Sequence, residues 1–159
     1  MSLFTITFTQ KLDADHQEIE DKAILDIFSK KFWETGCDGI KVTTDNHIKI
    51  SNNLIRIKFN MGLDLWLGIK RADLKIKKDR MFDRDICYSI NISPMIIILS
   101  IQILFVILTV PGFQTSFILN ILSFFFAYAL VVIGIQVLRH YFKFRNIFRF
   151  ILKSHQSVK

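Results

Sequence analysis

The front part of the chain alternates apolar and polar residues, whereas the back part is almost continuously apolar. From Phe4 to Phe8 every second residue is apolar, which predicts a strand with one buried face. From Ile19 to Phe32 apolar residues recur at helical spacing, and Gly36 predicts the end of that helix. The chain is therefore expected to open with a strand followed by an amphipathic helix.

Short alternating runs after Gly36 predict the remaining strands of this front part. The runs are Ile40/Val42, Ile48/Ile50, Ile55/Ile57/Phe59, Leu63/Leu65/Leu67/Ile69 and Leu74/Ile76, the last of which could also start a helix. Asp45-Asn46 and Asn52-Asn53 predict turns between them. The order β-α-β-β-β-β predicts a small cytoplasmic α+β sensing or binding domain over residues 1–85. Its antiparallel sheet carries one helix on the apolar face.

The stretch from Ile86 to Leu138 contains no charged residue. Two apolar runs lie within it, over about residues 90–110 and 117–138, and Val110-Pro111-Gly112 separates them. A run of about 20 apolar residues is long enough to cross a bilayer core of roughly 30 Å as a helix. A soluble core does not require so long a stretch without charge. Residues 86–138 are therefore predicted to form a two-helix transmembrane hairpin.

The distribution of charge predicts the orientation of this hairpin. All 14 acidic residues lie in residues 1–85, so the net charge of +7 comes mainly from the C-terminal tail. Lys and Arg flank the apolar stretch on both sides, while the loop between the two runs is uncharged. Because basic residues accumulate on the cytoplasmic side of membranes, the N- and C-termini are both predicted to be cytoplasmic.

The tail, residues 139–159, has basic residues on one side of a helical wheel and mostly aromatic and aliphatic residues on the other. The basic residues are Arg139, Lys143, Arg145, Arg149 and Lys153. This pattern predicts an amphipathic helix that lies on the inner membrane surface. In the alternative, the tail continues from the second span and packs on the front domain, which would link that domain mechanically to the membrane.

Four basic residues are predicted on the sheet face opposite the helix: Lys41, Lys49, Arg56 and Lys58, with Lys75 and Lys77 as an extension of the series. A cationic face of this kind favours an anionic ligand such as a nucleotide, an oligonucleotide or lipid headgroups. The alternative is an ordinary solvated face that keeps a small domain soluble. Trp66 is predicted to point outward, either as a contact residue or covered by the tail or a second subunit.

Residues at alternating steps of three and four form a stripe on the second apolar run, and all of them except Leu130 are polar or small: Asn120, Ser123, Ala127, Leu130 and Gly134. Gln102 is a polar residue of the first run. Such a stripe lets helices approach closely in lipid, so it predicts packing of the hairpin against itself or against a partner. Alternatively, several copies assemble and these residues line a pore, because one hairpin is too small to enclose a pathway.

The sequence contains no recognisable catalytic or metal-binding motif. The four histidines are scattered, and there is no glycine-rich phosphate loop or nucleophile elbow. Cys37 and Cys87 have no disulfide or metal spacing and are expected to be ordinary buried thiols. No enzymatic activity, metal or cofactor is predicted.

The layout of a sensor-sized domain before a hydrophobic hairpin resembles that of small bacterial membrane effectors, including antiphage-defence proteins. The resemblance implies an oligomeric effector of the bacterial inner membrane, in which a ligand or partner of the cytoplasmic domain opens a pore or disrupts the membrane. The alternative is a non-conducting membrane-anchored adaptor, accessory or immunity subunit that binds another protein. The expected partners are the lipid bilayer, further copies of the chain, and an anionic ligand or a protein.

Overall fold

The computed structural model describes residues 4–12, 19–52, 65–66, 68–78, 84–109 and 115–156. The elements are β1 (Thr5–Leu12), α1 (Asp21–Trp33), β2 (Gly39–Thr44), β3 (His47–Ser51), β4 (Arg71–Lys78), β5 (Arg84–Asn91), α2 (Ser93–Thr109) and α3 (Thr115–Gln156). The five strands form one antiparallel sheet, which together with the helices confirms the predicted α+β class. Gly36 follows α1 with a φ of 80°, so the predicted end of this helix is also confirmed.

The sheet has the strand order β1-β5-β4-β3-β2. Strands β2 to β5 form an antiparallel meander, of which β2, β3 and β4 lie on predicted runs, and β1 then pairs with the last strand, β5. Thr5 lies opposite Asn91, and the backbone N–H of Phe4 donates a hydrogen bond to Ser93 Oγ at 3.1 Å. This pairing holds the start of the chain beside the start of α2.

Strand β5 was not among the predicted strands, and it carries the sheet beyond residue 85. Ile86, Tyr88 and Ile90 are fully buried, while Cys87 and Ser89 alternate with them on the other face. Most of the strand lies within the uncharged stretch, directly before an apolar helix. Its alternation of buried and outward residues was therefore not recognised in the sequence. The sheet therefore ends only two residues before α2 begins.

The predicted strand over Leu63–Ile69 is wrong for its described residues, because Leu65, Trp66 and Gly68 lie in turns. Gly68 has a φ of 73°, which a regular strand does not accommodate. The predicted strand over residues 55–59 lies outside the described residues.

Helices α1 and α3 both pack on the apolar face of the sheet, where one helix was predicted. Their buried side chains are Ile24, Leu25, Phe28 and Phe32 from α1, and Phe144, Ile147, Phe148 and Ile151 from α3. The prediction of a separate tail helix on the membrane surface is wrong. Residues 139–156 continue α3 without a break, and burying their apolar face in this core removes it from lipid.

The first part of α3 projects from the domain and is strongly apolar. Leu119–Ser154 is long and apolar enough to cross a membrane, and only 11% of its most apolar window is buried within the chain. Helix α2 is a shorter apolar helix that contacts α3. The low burial separates the apolar part of α3 from the core helix of a soluble protein, because that core helix would be covered on most sides.

Candidate functional site

The outer face of the sheet is polar on all five strands because the apolar residues of each strand point to the helices. The side chains on this face include Thr5, Thr7, Thr9 and Lys11 from β1; Asp85, Cys87 and Ser89 from β5; Arg71, Asp73, Lys75 and Lys77 from β4; His47 and Lys49 from β3; and Lys41 from β2. Six of these side chains are basic and two are aspartates. The described part of the face therefore carries excess positive charge.

Lys41 and Lys49 lie on this face as predicted, and they are direct cross-strand partners. Lys75 and Lys77 extend the cationic series onto β4. Arg56 and Lys58 lie outside the described residues. The structure thus brings two of the four predicted ligand residues together and adds two lysines that the sequence had indicated only as an extension.

Two shallow hollows of about 470 Å³ and 630 Å³ lie on this side of the sheet. They share His47, Lys75 and Lys77, and the smaller one also includes Lys49 and the hydroxyl groups of Thr7 and Ser89. We name the two hollows together the outer groove. Lysine ammonium groups beside hydroxyl donors form an arrangement that can hold phosphate or carboxylate oxygens.

His47 and Asp73 are hydrogen-bonded to each other in the outer groove, with 3.0 Å between Nε2 and Oδ1. Thr7 Oγ1 and Ser89 Oγ are 2.8 Å apart and hydrogen-bonded to each other. No group of three His, Cys, Asp or Glu side chains converges within the described ranges of the chain. The groove therefore offers binding groups, and no metal-binding cluster is found among its described residues.

A second polar feature, which we name the junction, is buried where α3 enters the domain. His140 lies between two partners, with Nδ1 2.7 Å from the Tyr88 hydroxyl and Nε2 2.7 Å from the Leu65 carbonyl oxygen. A carbonyl only accepts, so Nε2–H is the donor to Leu65 and the Tyr88 O–H donates to Nδ1. Both polar atoms of the imidazole are thus satisfied without any charge.

Burial determines the protonation states at the junction. It lowers the pKa of His140 from 6.5 to about 4, although the hydrogen bond to the Leu65 carbonyl acts in the opposite direction. Burial, with a smaller contribution from the nearby Cys37, raises the pKa of Tyr88 well above 10. His140 lies on the part of α3 that packs on the sheet, outside the apolar part of the helix. Both side chains are neutral at pH 7.

Aromatic rings surround the junction and tie three elements together. His140 stacks on Tyr88 at 5.9 Å between ring centroids and meets Trp66 edge-on at 5.2 Å. Trp66 Nε1 donates to Thr35 Oγ1 at 2.9 Å. The prediction that Trp66 points outward is wrong, because Trp66 is buried in the core, where its ring contacts Phe32 of α1 and His140 of α3. The domain is therefore locked to α3 close to the end of its apolar part.

Sequence reasoning missed Tyr88 and His140 as members of one cluster. A signal for His140 exists in the sequence, since it precedes Phe144 by four residues and Phe148 by eight, in phase with the buried stripe of α3. A signal for Tyr88 is its place between Ile86 and Ile90 in an alternating run. Their meeting depends on how β5 and α3 pack, which neither segment indicates by itself.

The predicted membrane stripe faces away from the rest of the chain. Asn120, Ser123 and Ala127 are exposed, and Gln102 on α2 is exposed as well. Gly134 is half-buried, with open space where a Cβ atom would stand. Contacts between α2 and α3 therefore leave Asn120, Ser123 and Ala127 uncovered.

The tail cations line the outer side of the domain-bound part of α3. Arg139, Lys143 and Arg145 are half-buried, whereas Arg149 and Lys153 are exposed. Cys37 and Cys87 are both buried and form no disulfide, as expected from their spacing.

Ion pairs form at one end of the sheet, close to the start of α1. At the end remote from α2, Asp21 is 2.9 Å from Arg84 and 2.9 Å from Lys78. Burial alone would raise the pKa of Asp21, but the hydrogen bonds and positive charge of Lys78 and Arg84 outweigh this effect and lower it. This ion-pair cluster anchors the start of α1 to the start of β5.

Comparison of the chain with protein-family models, with curated proteins and with solved structures returned no match. The assignment of a function therefore rests on the geometry described above.

Proposed function

We propose that this protein is an oligomeric integral-membrane effector whose cytoplasmic domain binds an anionic ligand or partner and transmits that event to its membrane helices. The observation that carries the proposal is the continuity of α3. A single helix of 42 residues begins in an apolar, uncovered segment and ends in the core of the domain.

The proposed membrane segment is a hairpin formed by α2 and the part of α3 before Arg139. Large apolar side chains are exposed on both helices, including Ile101, Phe105, Phe124 and Val131. In water this surface would be strongly unfavourable, whereas lipid tails solvate it. Helix α2 has 17 residues, which is at the lower limit of a spanning helix of about 17–25 residues. The flanking basic residues support a cytoplasmic location for the domain.

The uncovered stripe supports oligomer formation. Asn120 is costly in hydrocarbon unless its amide finds a hydrogen-bond partner, and α2 of the same chain leaves it exposed. Small residues at Ser123, Ala127 and Gly134 allow a neighbouring helix to approach closely. We propose that several copies pack through this stripe, and that its polar groups face a pore when the assembly opens.

The outer groove is the proposed ligand site. Lys49, Lys75 and Lys77 suit a phosphate-bearing ligand such as a nucleotide or an oligonucleotide. Strands β4 and β5 form the floor of the groove, and β5 leads directly to α2 while its Tyr88 contacts His140 of α3. Binding at the groove can therefore reach both membrane helices through rigid elements.

One observation favours the alternative of a non-conducting adaptor or immunity subunit that binds another protein. Trp33 is 59% exposed and Val42 is 60% exposed beside the edge strand β2. Together with Ile40 they line a groove of about 520 Å³. Exposed tryptophan beside an unpaired strand edge is typical of protein contacts.

The test is to reconstitute the full chain into liposomes and to measure ion flux with mononucleotides and short oligonucleotides as ligands. We expect ligand-dependent flux, and a particle mass in mild detergent that corresponds to several copies. Asn120→Leu should lower both the mass and the flux, while Tyr128→Phe, at an exposed position off the stripe, should change neither. A monomeric particle, or no flux with any of these ligands, would favour the adaptor.

A further inference from the structure

The outer groove has two chemically different ends along strand β4. Asp73, Lys75 and Lys77 are alternate residues of β4, so they form one row on the outer face with about 7 Å from each to the next. His47 and Ser89 flank this row on β3 and β5, and all five residues line the smaller hollow. A ligand that lies along β4 therefore meets a carboxylate at one end and two ammonium groups at the other.

The carboxylate end can accept hydrogen bonds from a ligand. His47 is the one partner of the Asp73 side chain within the described part of the sheet, and it bonds Oδ1, so Oδ2 is left to accept. Beside Asp73, Thr7 Oγ1 and Ser89 Oγ are hydrogen-bonded to each other, which leaves one hydroxyl hydrogen of the pair for another acceptor. Hydroxyl groups of a ligand match this end, because they both donate and accept.

The ammonium end can donate hydrogen bonds to a ligand. Lys75 and Lys77 are exposed, and among the described residues no ion pair joins either of them to an acidic side chain. The same holds for Lys49, which stands opposite Asp73 on β3 and lines the same hollow. An ammonium group only donates, so phosphate oxygens, which accept, match this end.

The lining of the outer groove also bears on how a nucleotide base would be recognised. Its described residues include no Phe, Tyr or Trp. Proteins that hold the bases of single-stranded nucleic acids commonly stack them on aromatic rings. The groove therefore offers groups for a sugar and for phosphates, and its described lining offers no aromatic ring for a base.

We propose that the outer groove binds ribonucleotides in preference to deoxyribonucleotides, with little regard to the base. In this arrangement Asp73 accepts hydrogen bonds from the ribose hydroxyls, while Lys75 and Lys77 hold the phosphates. His47 is a positioning residue, because its bond to Oδ1 orients the carboxylate. The inference rests on the anionic-ligand site of the proposed function and narrows its ligand class. The 2′-hydroxyl is the group by which a protein distinguishes ribose from deoxyribose.

The experiment is isothermal titration calorimetry of the full chain in mild detergent with three diphosphates: ADP, its 2′,3′-dideoxy form and UDP. We expect ADP and UDP to bind with similar affinity. The dideoxy form should bind at least about tenfold more weakly, because it loses a hydrogen bond to a charged acceptor. A short oligoribonucleotide and its deoxy counterpart, titrated in the same way, show whether a free nucleotide or RNA is the better source of the ribose.

Two aspartate variants test the role of position. Asp73→Asn keeps an oxygen that accepts from His47 but replaces the charged acceptor, so the preference for ADP over the dideoxy form should fall to about threefold. Asp85→Asn is the matched control, since it removes the same charge from the outer face opposite Lys77. It should strengthen the binding of both forms alike and leave their ratio unchanged. Lys75→Gln/Lys77→Gln should weaken the binding of all three diphosphates.

Two results would overturn this inference alone. One is equal binding of the ribose and deoxy forms in both the diphosphate and the oligonucleotide series, with diphosphate binding still weakened by Lys75→Gln/Lys77→Gln. The other is a loss of discrimination in Asp85→Asn as large as that in Asp73→Asn. A failure of every probe to bind would refute the anionic-ligand site of the proposed function together with the inference. A preference for ribose in either series that Asp73→Asn reduces and Asp85→Asn does not would support it.

Discussion

The two parts of α3 contrast in their surroundings although both are rich in aromatic residues. Before Arg139 most of the helix surface is apolar, and residues such as Phe124 and Phe126 are exposed. After Arg139 it has one apolar stripe, which includes Phe144 and Phe148 in the domain core, and a basic back. The comparison teaches that an all-round apolar helix needs a solvent other than water, whereas a striped helix needs only one covering surface.

The change between the two parts takes place within a few residues. Leu138 is exposed, and His140 is fully buried between Tyr88 and Leu65. Since the helix is continuous across this point, no flexible linker absorbs movement between the domain and the apolar part. Substitutions in the two parts of α3 should therefore differ in their effect on the stability of the domain.

The largest expected effect comes from cutting a core side chain of the second part. Phe144→Ala removes a ring that stacks on Phe28 and Tyr88, and should lower the free energy of unfolding by about 3–5 kcal/mol. Phe126→Ala, in the apolar part, should change domain unfolding by less than about 0.5 kcal/mol. Denaturation in detergent can be followed by Trp66 fluorescence in a Trp33→Phe background. An equal loss of unfolding free energy in Phe144→Ala and Phe126→Ala would contradict the contrast between the two parts of α3.

Acidification should weaken the attachment of the second part. The unfolded chain binds a proton at His140 below pH 6.5, but the folded chain does so only near pH 4. Stability therefore falls as the pH drops from 6.5 to 4, by up to about 3 kcal/mol, and this contribution levels off below that window. The free energy of unfolding, measured from pH 6.5 to 4, should depend less steeply on pH in His140→Gln than in wild type. A slope unchanged by the substitution would contradict the assigned role of burial.

Removing one hydroxyl group at the junction should have an intermediate effect. Tyr88→Phe keeps the stacked ring but leaves His140 Nδ1 without its donor, which should cost about 1–3 kcal/mol. Thr7→Val, which removes a hydroxyl from the solvent-facing side of the sheet, is the matched control and should cost less. The same Trp66 fluorescence assay compares them, and a neutral Tyr88→Phe would show that packing alone holds the junction.

The smallest effect extends the comparison to the outer face of the sheet, where Lys41 and Lys49 are exposed. Lys41 and Lys49 are directly opposed like charges. Lys41→Glu should therefore stabilise the domain by about 0.2–1 kcal/mol, and less at high salt. Lys41→Gln should give a smaller gain. Destabilisation by Lys41→Glu would show that this lysine has a favourable partner in the folded protein.

Several local features could be predicted because neighbouring residues alone determine them. The alternating run at Phe4 to Phe8, the end of α1 at Gly36 and the meander strands β2 and β3 follow from residue spacing and from glycine chemistry. Strand β5 could not be separated from the apolar helix after it, because its last six residues and the helix are both uncharged and a short apolar run suits either structure. Trp66 was placed outside since alternation was assumed through a segment that turns.

The sequence by itself determined the α+β class, the polar outer face with Lys41 and Lys49, and a helix apolar enough to cross a membrane, because these depend on periodicity and composition. Tertiary structure alone decided that the tail continues α3 into the core and that His140 meets Tyr88 and Leu65. An amphipathic stripe is equally compatible with a membrane surface and with a protein core. Only the packing of α3 beside α1 and β1 shows which of these surfaces covers it.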